Sequence, residues 1–326
     1  NGQVQDSIIG SYELTRNIVK IDKYHAMALF ANTGLDPPRF DQHSSDYLFT
    51  GREIVSMLFS ETPINYERAP SSFNDLYAPY IQYDPTEVLT VIKDGQMLRG
   101  VLDKKSVGAK ATGGIFHLIG REYGSQKALD MIFALQQIVL QFIIYRGFTV
   151  GPVDLLTSSS ASSKLQELVA SALLESRIIT DRLIGGEIIP PIGYTVHEYY
   201  EKLQINALKV DEQEMLRVIL GSISPNSNGF FRMIASGAKG NNPNLIHVVG
   251  NIGQTAINGE RIREQFAFRR TMPYFPRFST DPSAYGFVEH SYMDGMTLPE
   301  FFFQGMNGRY DLINKALSTA TTGYFM

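Results

Sequence analysis

The alternation of apolar and polar residues predicts a β-hairpin in the first third of the chain. Two apolar runs, VLTVI at 88–92 and QMLRGVL at 96–102, flank the dipeptide Asp94-Gly95. Asp-Gly between two apolar runs is a strong short-range hairpin signal. Lys104 and Lys105 are therefore expected where the chain leaves the hairpin.

Helical periodicity dominates the middle of the chain. A short helical segment ends at Glu122, and a long apolar helix is predicted from about Ser125 to Tyr145. The serine-rich residues 158–163 lead directly into apolar positions spaced three and four apart, which indicates a helix start rather than a linker. A second amphipathic stretch runs from Thr195 to about Leu220 after a Gly/Pro-rich turn. Two such helices predict an antiparallel pair.

The last predicted element is a long helix that begins at a capping box. Thr297 precedes Glu300 by three residues, with a proline in the first turn. Helix-compatible sequence then continues for roughly 28 residues, on the order of 40 Å. Gly305, Gly308 and Gly323 lie inside it. Because a glycine within a helix costs about 1 kcal/mol relative to alanine, the three indicate either close packing or bending.

Composition is that of a globular protein, and the predicted elements together indicate a multi-domain, mainly helical α+β fold. The 326 residues are 44% apolar and 19% charged, which fits a globular chain of about two domains. The first ninety residues contain loops rich in proline and aromatic residues, at Asp36-Pro37-Pro38 and from Ala69 to Pro85. The longest apolar stretch, Leu129 to Tyr145, is shorter than the roughly 20 residues of a membrane span, so a buried helix and no membrane partner are expected. The chain lacks an initiator methionine and is interpreted as part of something longer.

Searches for local catalytic motifs exclude several classes of chemistry. The absence of cysteine removes disulfides, thiolate metal sites and cysteine nucleophiles, and favours a reducing compartment. The six histidines are too scattered to predict a zinc site, and 108–114 lacks the Gly-Lys-Ser/Thr ending of a phosphate loop. Charge is segregated in spite of a net charge of −4: residues 89–127 and 229–279 are basic, whereas 181–221 are acidic. Ordinary surface patchiness and binding to phosphates both remain open.

Three longer blocks resemble a known family. They are DGQMLRGVLDKKSVGAKATGGIFHLIGREYG at 94–124 with YRGFTVGPVD at 145–154, FFRMIASGAKGNNPNLIHVVGNIGQTAINGERI at 230–262 with RTMPYFPRF at 270–278, and GFVEHSYMDGMTLPEFFFQGMNGRYDLINKALSTATTGYF at 286–325. In order and spacing they are similar to the pore, funnel and bridge-helix regions of the largest subunit of multisubunit DNA-directed RNA polymerases. The opening VQDSIIGSYELT and TGREIVSMLF at 50–59 also resemble this family.

The resemblance implies an enzyme that copies DNA into RNA by phosphoryl transfer with Mg²⁺. The family's aspartate motif, D-F-D-G-D, does not occur in this chain, so these residues alone are expected to bind no Mg²⁺ and to be inactive. The implied domains are a pore region at 1–155, a funnel at 156–264, and the start of the next domain, with the bridge helix, at 265–326. The implied partners are the second-largest and other subunits, template DNA, RNA and a transcript-cleavage factor.

The resemblance assigns Lys104, Lys105 and Lys239 to the channel through which nucleotides enter and backtracked RNA leaves. Lysine is a suitable point charge for mobile phosphates. Solvated lysines at a hairpin end are the alternative for the first two. Asn228 and Asn244 are expected to fix loop backbones. Arg261 and Arg263 are assigned either to the same basic wall or to the ordinary surface.

On the predicted bridge helix, Thr319, Ala320 and Tyr324 match the family segment beside the template base, and Arg309 keeps its family position. Ordinary helix packing is the alternative for Thr319 and Ala320. The sequence departs from the family at four sites along this helix, so the family's hinge position and phosphate contacts are not carried over to it: Gln304-Gly305, Tyr310-Asp311, Asn314-Lys315 and Ser318.

Two further functions remain open. One is a role only as a scaffold and docking module, with the acidic helical pair receiving a basic cleavage factor. A silencing-type two-barrel RNA-dependent polymerase is the other alternative, which the bridge-helix and funnel blocks disfavour. The divergence resembles polymerases of large cytoplasmic DNA viruses, which implies the host cytoplasm or the virion; a cellular enzyme would imply the nucleus.

Overall fold

The computed structural model describes residues 1–34, 46–71, 77, 84–224 and 226–326. The loop predicted at Asp36-Pro37-Pro38 and most of the loop predicted at 69–85 lie outside the described residues. The chain divides into two compact units. Unit 1 comprises Asn1–Asp154 and Ser224–Asn241, and unit 2 comprises Leu155–Ile223 and Asn242–Met326.

Helices carry most of the described fold, and the strands are short. In chain order the helices are α1 (Asp6–Thr15), α2 (Lys23–Phe30), α3 (Gly51–Phe59), α4 (Lys104–Val107), α5 (Ile115–Glu122), α6 (Ser125–Arg146), α7 (Ser159–Ile184), α8 (Val196–Ala207), α9 (Glu212–Ser222), α10 (Gly229–Ala235), α11 (Asn242–Val249) and α12 (Leu298–Phe325). The strands are β1 (Lys20–Asp22), β2 (Leu48–Thr50), β3 (Tyr66–Arg68), β4 (Thr90–Lys93), β5 (Gln96–Arg99), β6 (Gly253–Gln254) and β7 (Phe287–Val288).

The sheets are small and antiparallel. Strands β1 and β2 form one pair, β6 and β7 form another, and β3, β4 and β5 form a three-stranded sheet in that order. This mixture of many helices with small sheets confirms the predicted α+β, mainly helical, multi-domain class. The predicted domain limits at 155 and 264 stay a prediction.

Helix α6 is the centre of the unit 1 core. Its fully buried residues recur at three- and four-residue spacing, as in Met131, Leu135, Ile138 and Phe142, and it packs against α1, α2, α3 and α5. At Gly10 of α1 a Cβ atom would lie 2.4 Å from the Cγ1 of Val139, so only glycine permits this approach. By length and composition alone α6 could also cross a membrane. The core helix of a soluble protein can have the same length and composition. The buried contacts of α6 favour its assignment as a core helix.

The predicted hairpin is present as β4 and β5. Asp94 and Gly95 both have positive φ, 47° and 76°, which is the conformation of a type I′ turn. Lys93 pairs with Gln96 across the turn. The prediction from the Asp-Gly dipeptide is confirmed.

In unit 2, α7 and α8 form the predicted antiparallel pair. Gln204 lies opposite Ser176, and Tyr200 lies opposite Thr180, so the two helices run in opposite directions. The buried amide of Gln204 accepts from the Ser176 hydroxyl (2.5 Å) and donates to the Thr180 hydroxyl (3.0 Å). These hydrogen bonds fix the register of the pair, because leaving any of the buried groups unpaired would be costly.

The amphipathic stretch predicted from Thr195 to about Leu220 is two helices rather than one. Helix α8 ends at Ala207, and Asp211 begins α9 by accepting from the backbone N–H groups of Gln213 (2.9 Å) and Glu214 (3.2 Å). Aspartate at this position competes with helix continuation because its side chain caps the following turn. The apolar spacing continues through the break, which is why periodicity alone missed it.

Candidate functional site

Lys104 and Lys105 form the first turn of α4, at the end of the chain segment that leaves the hairpin. Asp103, which is buried, precedes them and accepts from the N–H of Ser106 (3.1 Å), while the Ser106 hydroxyl accepts from the Asp103 N–H (2.8 Å). Asp103 also accepts from the backbone N–H of Ser71. This reciprocal cap fixes the backbone of the two lysines, whose side chains remain exposed.

The turn that carries Lys239 is hydrogen-bonded to the start of α4. The backbone N–H of Lys104 donates to the carbonyl oxygen of Ser236 (3.0 Å). Gly237 has a φ of 74°, and a Cβ there would lie 2.8 Å from the Cβ of Lys104. Only glycine satisfies both conditions. The structure therefore brings Lys104 and the 236–240 turn together although more than a hundred residues separate them along the chain.

Helix α10, which leads into this turn, is anchored at its start by Asn228. The Asn228 side chain accepts from the N–H of Phe231 (2.7 Å) and donates to the carbonyl of Asp154 (2.5 Å). The carboxylate of Asp154 in turn accepts from the N–H of Gly229 (3.1 Å). This agrees with the expectation that Asn228 fixes a loop backbone.

A buried ion pair, which the sequence analysis did not find, holds the middle of α10. Arg232 donates to the carboxylate of Glu13 on α1 (2.7 Å), and Arg16 lies 3.8 Å from the same oxygen. The guanidinium of Arg232 also lies over the ring of Phe148. Removing Arg232 would leave the buried Glu13 with only the longer contact to Arg16, so the Arg232 ion pair helps to hold α10 in place. The sequence around Glu13 contains no signal that predicts a partner 219 residues away.

Helix α12 starts at the predicted capping box. The carboxylate of Glu300 accepts from the N–H (2.8 Å) and the hydroxyl (2.7 Å) of Thr297, from the N–H of Glu289 (2.9 Å), and pairs with the ring of His290 (2.9 Å). Burial opposes ionisation of Glu300, but the His290 and Thr297 hydrogen bonds prevail and lower its pKa. The same contact raises the pKa of His290.

Beyond this anchored start, α12 is a single continuous helix whose second half is exposed. Arg309, Thr319, Ala320 and Tyr324 all lie on it with exposed side chains, and the Thr319 hydroxyl donates to the carbonyl of Lys315 (2.8 Å). A Cβ added at Gly305, Gly308 or Gly323 would meet no described atom within 4 Å. Within the described part of the chain, close packing therefore does not explain these glycines.

The expectation that Arg261 belongs to a basic wall or to the ordinary surface is wrong. Arg261 is buried, donates twice to the carboxylate of Glu201 on α8 (2.8 Å each), and stacks over the ring of Tyr285. Burial disfavours its charge, but the bidentate Glu201 contact outweighs burial and raises the pKa of Arg261. Arg263 is exposed and pairs with Glu260 (2.5 Å). The two arginines are only two positions apart in the sequence, but one is buried and the other is exposed.

The residues that the structure describes do not fit a catalytic magnesium site. No three His, Asp or Glu side chains among them are grouped so that they could hold a metal ion. No step of the chemistry is therefore assigned to a metal on this chain.

Models of RNA polymerase Rpb1 match three successive parts of the chain. Domain 3 matches residues 1–155, domain 4 matches residues 179–288 and domain 5 matches residues 295–326. Only residues 156–178 and 289–294 lie between the three matches.

Viral proteins named DNA-directed RNA polymerase RPB1 homolog are similar over nearly the whole chain. The proteins from the Badajoz strain, the Malawi tick isolate and the Pretoriuskop isolate of African swine fever virus are each 52% identical over 329 aligned positions. These alignments cover 99% of this chain and 23% of each relative, so the chain spans about a quarter of their length. The predicted resemblance to the largest polymerase subunit, of a viral type, is confirmed.

Proposed function

Because the chain belongs to the Rpb1 family, the largest subunits of RNA polymerases, we propose that it forms a channel wall and the bridge helix of an enzyme that copies DNA into RNA. Unit 1 supplies the basic wall through Lys104, Lys105 and Lys239. Helix α12 is the bridge helix, and Thr319, Ala320 and Tyr324 lie beside the template base. Arg309 lies nearer to the anchored end of the same helix.

One contact carries the channel part of this proposal, namely the hydrogen bond from the Lys104 N–H to the Ser236 carbonyl (3.0 Å). It joins two segments that the family resemblance assigns independently to one channel. The side chains of Lys104 and Lys239 are exposed, while hydrogen bonds hold the backbone that carries them. This arrangement suits lysines that attract mobile phosphates without binding them rigidly. The small side chains at 319 and 320 would let a base pair approach the helix backbone closely.

Mg²⁺, the second-largest subunit, template DNA and RNA belong to the proposal for the complete enzyme. The described residues of this chain offer no carboxylate cluster, so the metal would be held elsewhere in the assembly. Docking of a basic cleavage factor on α7 and α8 is a weaker hypothesis, because Arg261 neutralises Glu201, and the Glu198 carboxylate is already engaged by the N–H and hydroxyl of Thr195 at the start of α8. The names of the relatives favour a DNA-directed over an RNA-directed enzyme.

The channel proposal is tested by Lys239→Ala in the assembled polymerase. Loss of one phosphate-attracting charge is expected to raise the apparent nucleotide KM, or to slow cleavage of backtracked RNA, by about fivefold, equivalent to about 1 kcal/mol. The melting temperature is expected to stay unchanged because Lys239 is exposed. Lys93→Ala, an exposed lysine at the hairpin turn, is the matched control. Wild-type values for KM and cleavage in the Lys239 variant would show that this lysine does not line a working channel.

A further inference from the structure

A tight turn in unit 2 holds the side chain of Asn258 on a backbone of defined shape. The Ile257 N–H donates to the Glu260 carbonyl (2.9 Å), and the Glu260 N–H donates to the Ile257 carbonyl (3.1 Å). Between them, Asn258 and Gly259 have φ values of 56° and 78°, the positive values that both central residues of a type I′ turn require. Asparagine tolerates this conformation, and its side-chain oxygen is free to accept a hydrogen bond from outside the turn.

Tyr310 of α12 donates to this oxygen. The hydroxyl of Tyr310 forms a hydrogen bond with the side chain of Asn258, and Tyr310 is half-buried. The turn and the helix also share an apolar contact, because Ile257 and Met306 both pack against the buried cluster that contains Phe303. Phe303, Met306 and Tyr310 are spaced by three and four residues, which places them on one face of α12. The turn therefore contacts this face first through apolar side chains and then, one helical turn further on, through the hydrogen bond.

Tyr310 marks the end of the part of α12 that unit 2 holds. Nearer to the start of the helix, Gln304 donates to the hydroxyl of Tyr292 (2.8 Å). Among the residues that the structure describes, the Tyr310 hydrogen bond is the last one that joins α12 to another element. The same face of the helix continues with Ile313 and Leu317, which are 50% and 63% exposed. Tyr310 is therefore the farthest point along α12 that the rest of unit 2 fixes.

We propose that the hydrogen bond between Tyr310 and Asn258 fixes the direction of α12 as far as Tyr310 and prevents the helix from bending at Gly308 while it is formed. Gly308 lies between the buried anchor Phe303 and Tyr310, so a bend there moves the Tyr310 hydroxyl away from Asn258. Both groups can bond to water instead, so the contact can break and re-form. Tyr310 is thus a positioning residue, and it lies at one of the sites where the sequence departs from the family.

The contact is tested by amide hydrogen exchange of residues 306–314 in the assembled polymerase, measured by mass spectrometry. Tyr310→Phe removes only the hydroxyl, and Asn258→Gly removes only the acceptor, because glycine adopts the positive φ of this turn. Each variant is expected to exchange about threefold faster, as for the loss of one solvent-accessible hydrogen bond. The double variant should exchange no faster than either single variant, because the two changes remove the same contact. Wild-type rates in either single variant, or additive effects in the double variant, would overturn the proposal.

Two control variants separate this contact from a general loss of polar contacts. Asn258→Asp keeps a side-chain acceptor and suits the turn, so it is expected to retain the wild-type exchange rate. Tyr292→Phe is the same chemical change as Tyr310→Phe, but it removes the hydroxyl that accepts from Gln304 in the anchored part of the helix. It should leave exchange at 306–314 unchanged. Faster exchange in either control would show that the segment does not depend on the Tyr310 contact in particular.

The consequence for transcription rests on the proposed role of α12 as the bridge helix. Tyr310→Phe and Asn258→Gly are expected to change pausing in the same direction, and Gly308→Ala is expected to abolish that change, because alanine removes the flexible point that the contact restrains. A change in pausing that persists with Gly308→Ala would overturn bending at Gly308. Faster exchange with normal pausing would instead refute the bridge-helix role and leave the contact between Tyr310 and Asn258 established.

Discussion

At the scale of single residues, the pair formed by His290 and Glu300 makes the start of α12 sensitive to pH. The pKa of His290 is raised above its ordinary value of 6.5, so its contribution to stability is complete below pH 6.5 and disappears as the pH rises through the raised value. The pKa of Glu300 is lowered from 4.5, so its contribution is complete above pH 4.5 and disappears as the pH falls through the lowered value. The contact is therefore strongest between about pH 4.5 and 6.5.

The variant His290→Gln tests the pH range in which the contact between His290 and Glu300 stabilises the chain. The wild-type chain is expected to exceed the variant in free energy of unfolding by up to about 1 kcal/mol between pH 5 and 6, since the imidazole is partly exposed. The difference should shrink towards pH 8. Chemical denaturation at several pH values measures it, and a difference that does not change from pH 5 to 8 would contradict the assigned ion pair.

The residues that matter most for anchoring were the hardest to find from sequence. Asn228 and the capping pair of Thr297 with Glu300 were predicted because caps act within four residues. Glu13 and Arg261, in contrast, owe their roles to partners 219 and 60 residues away along the chain. A single sequence carries no signal for a buried ion pair of this kind, because its energy depends on burial that only the fold creates.

At the scale of secondary-structure elements, α12 combines a fixed start with an unsupported second half. Helices in proteins are stabilised mainly by packing, and every residue of α12 after Tyr310 is exposed. In the isolated chain we expect amide exchange to be slow near Phe303 and fast after about Gly308. Even protection as far as Met326 would show that the helix is stable without packing.

The glycines of α12 are expected to control bending. Gly308→Ala and Gly323→Ala should each stabilise the helix by about 1 kcal/mol, because a Cβ has free space at both positions. In the assembled polymerase the two changes should alter elongation speed or pausing more than folding. Transcription assays on both variants measure this, with Lys315→Ala as a control at an exposed site of the same helix. Normal speed and pausing in both glycine variants would exclude a bending role.

Element prediction succeeded where the signal was local and failed where two local signals competed. The hairpin, α6 and the start of α7 each have an explicit turn, stop or cap residue. Between Thr195 and Leu220 the apolar period continues across the cap at Asp211, so periodicity predicts one stretch where the structure has two helices. An N-cap aspartate outweighs periodicity because it satisfies N–H groups that a continuous helix would have to satisfy otherwise.

At the scale of the whole molecule, unit 1 is built from two separate stretches of chain. Residues 224–241 return to the unit formed by residues 1–154 and bring Arg232 to Glu13 and Phe231 to Tyr77. The predicted funnel limits, 156–264, follow covalent order, which gives no indication of such a return. The class of fold and the family could be predicted, because they depend on long motifs rather than on which segments meet.

A fragment of residues 1–154 is therefore expected to be unstable by itself. Without the second stretch, Glu13 loses its shorter ion pair, with Arg232 (2.7 Å), and keeps only the longer contact with Arg16 (3.8 Å). Thermal unfolding should show a marked recovery when a peptide of residues 224–241 is added, and none when the peptide carries Arg232→Ala. Equal melting temperatures with and without the native peptide would refute the contribution of the second stretch.

The contacts of Asp154 with Asn228 and Gly229 also bear on how this region can change during evolution. They bring the two ends of the intervening segment together, so residues 155–223 leave unit 1 and the chain returns to it close to where it left. An insertion that leaves and returns at one point can change in length without moving the scaffold that carries it. Additions and deletions should accordingly accumulate at the Gly/Pro-rich connection between α7 and α8, at 185–194, while the spacing between Lys104 and the 236–240 turn is preserved.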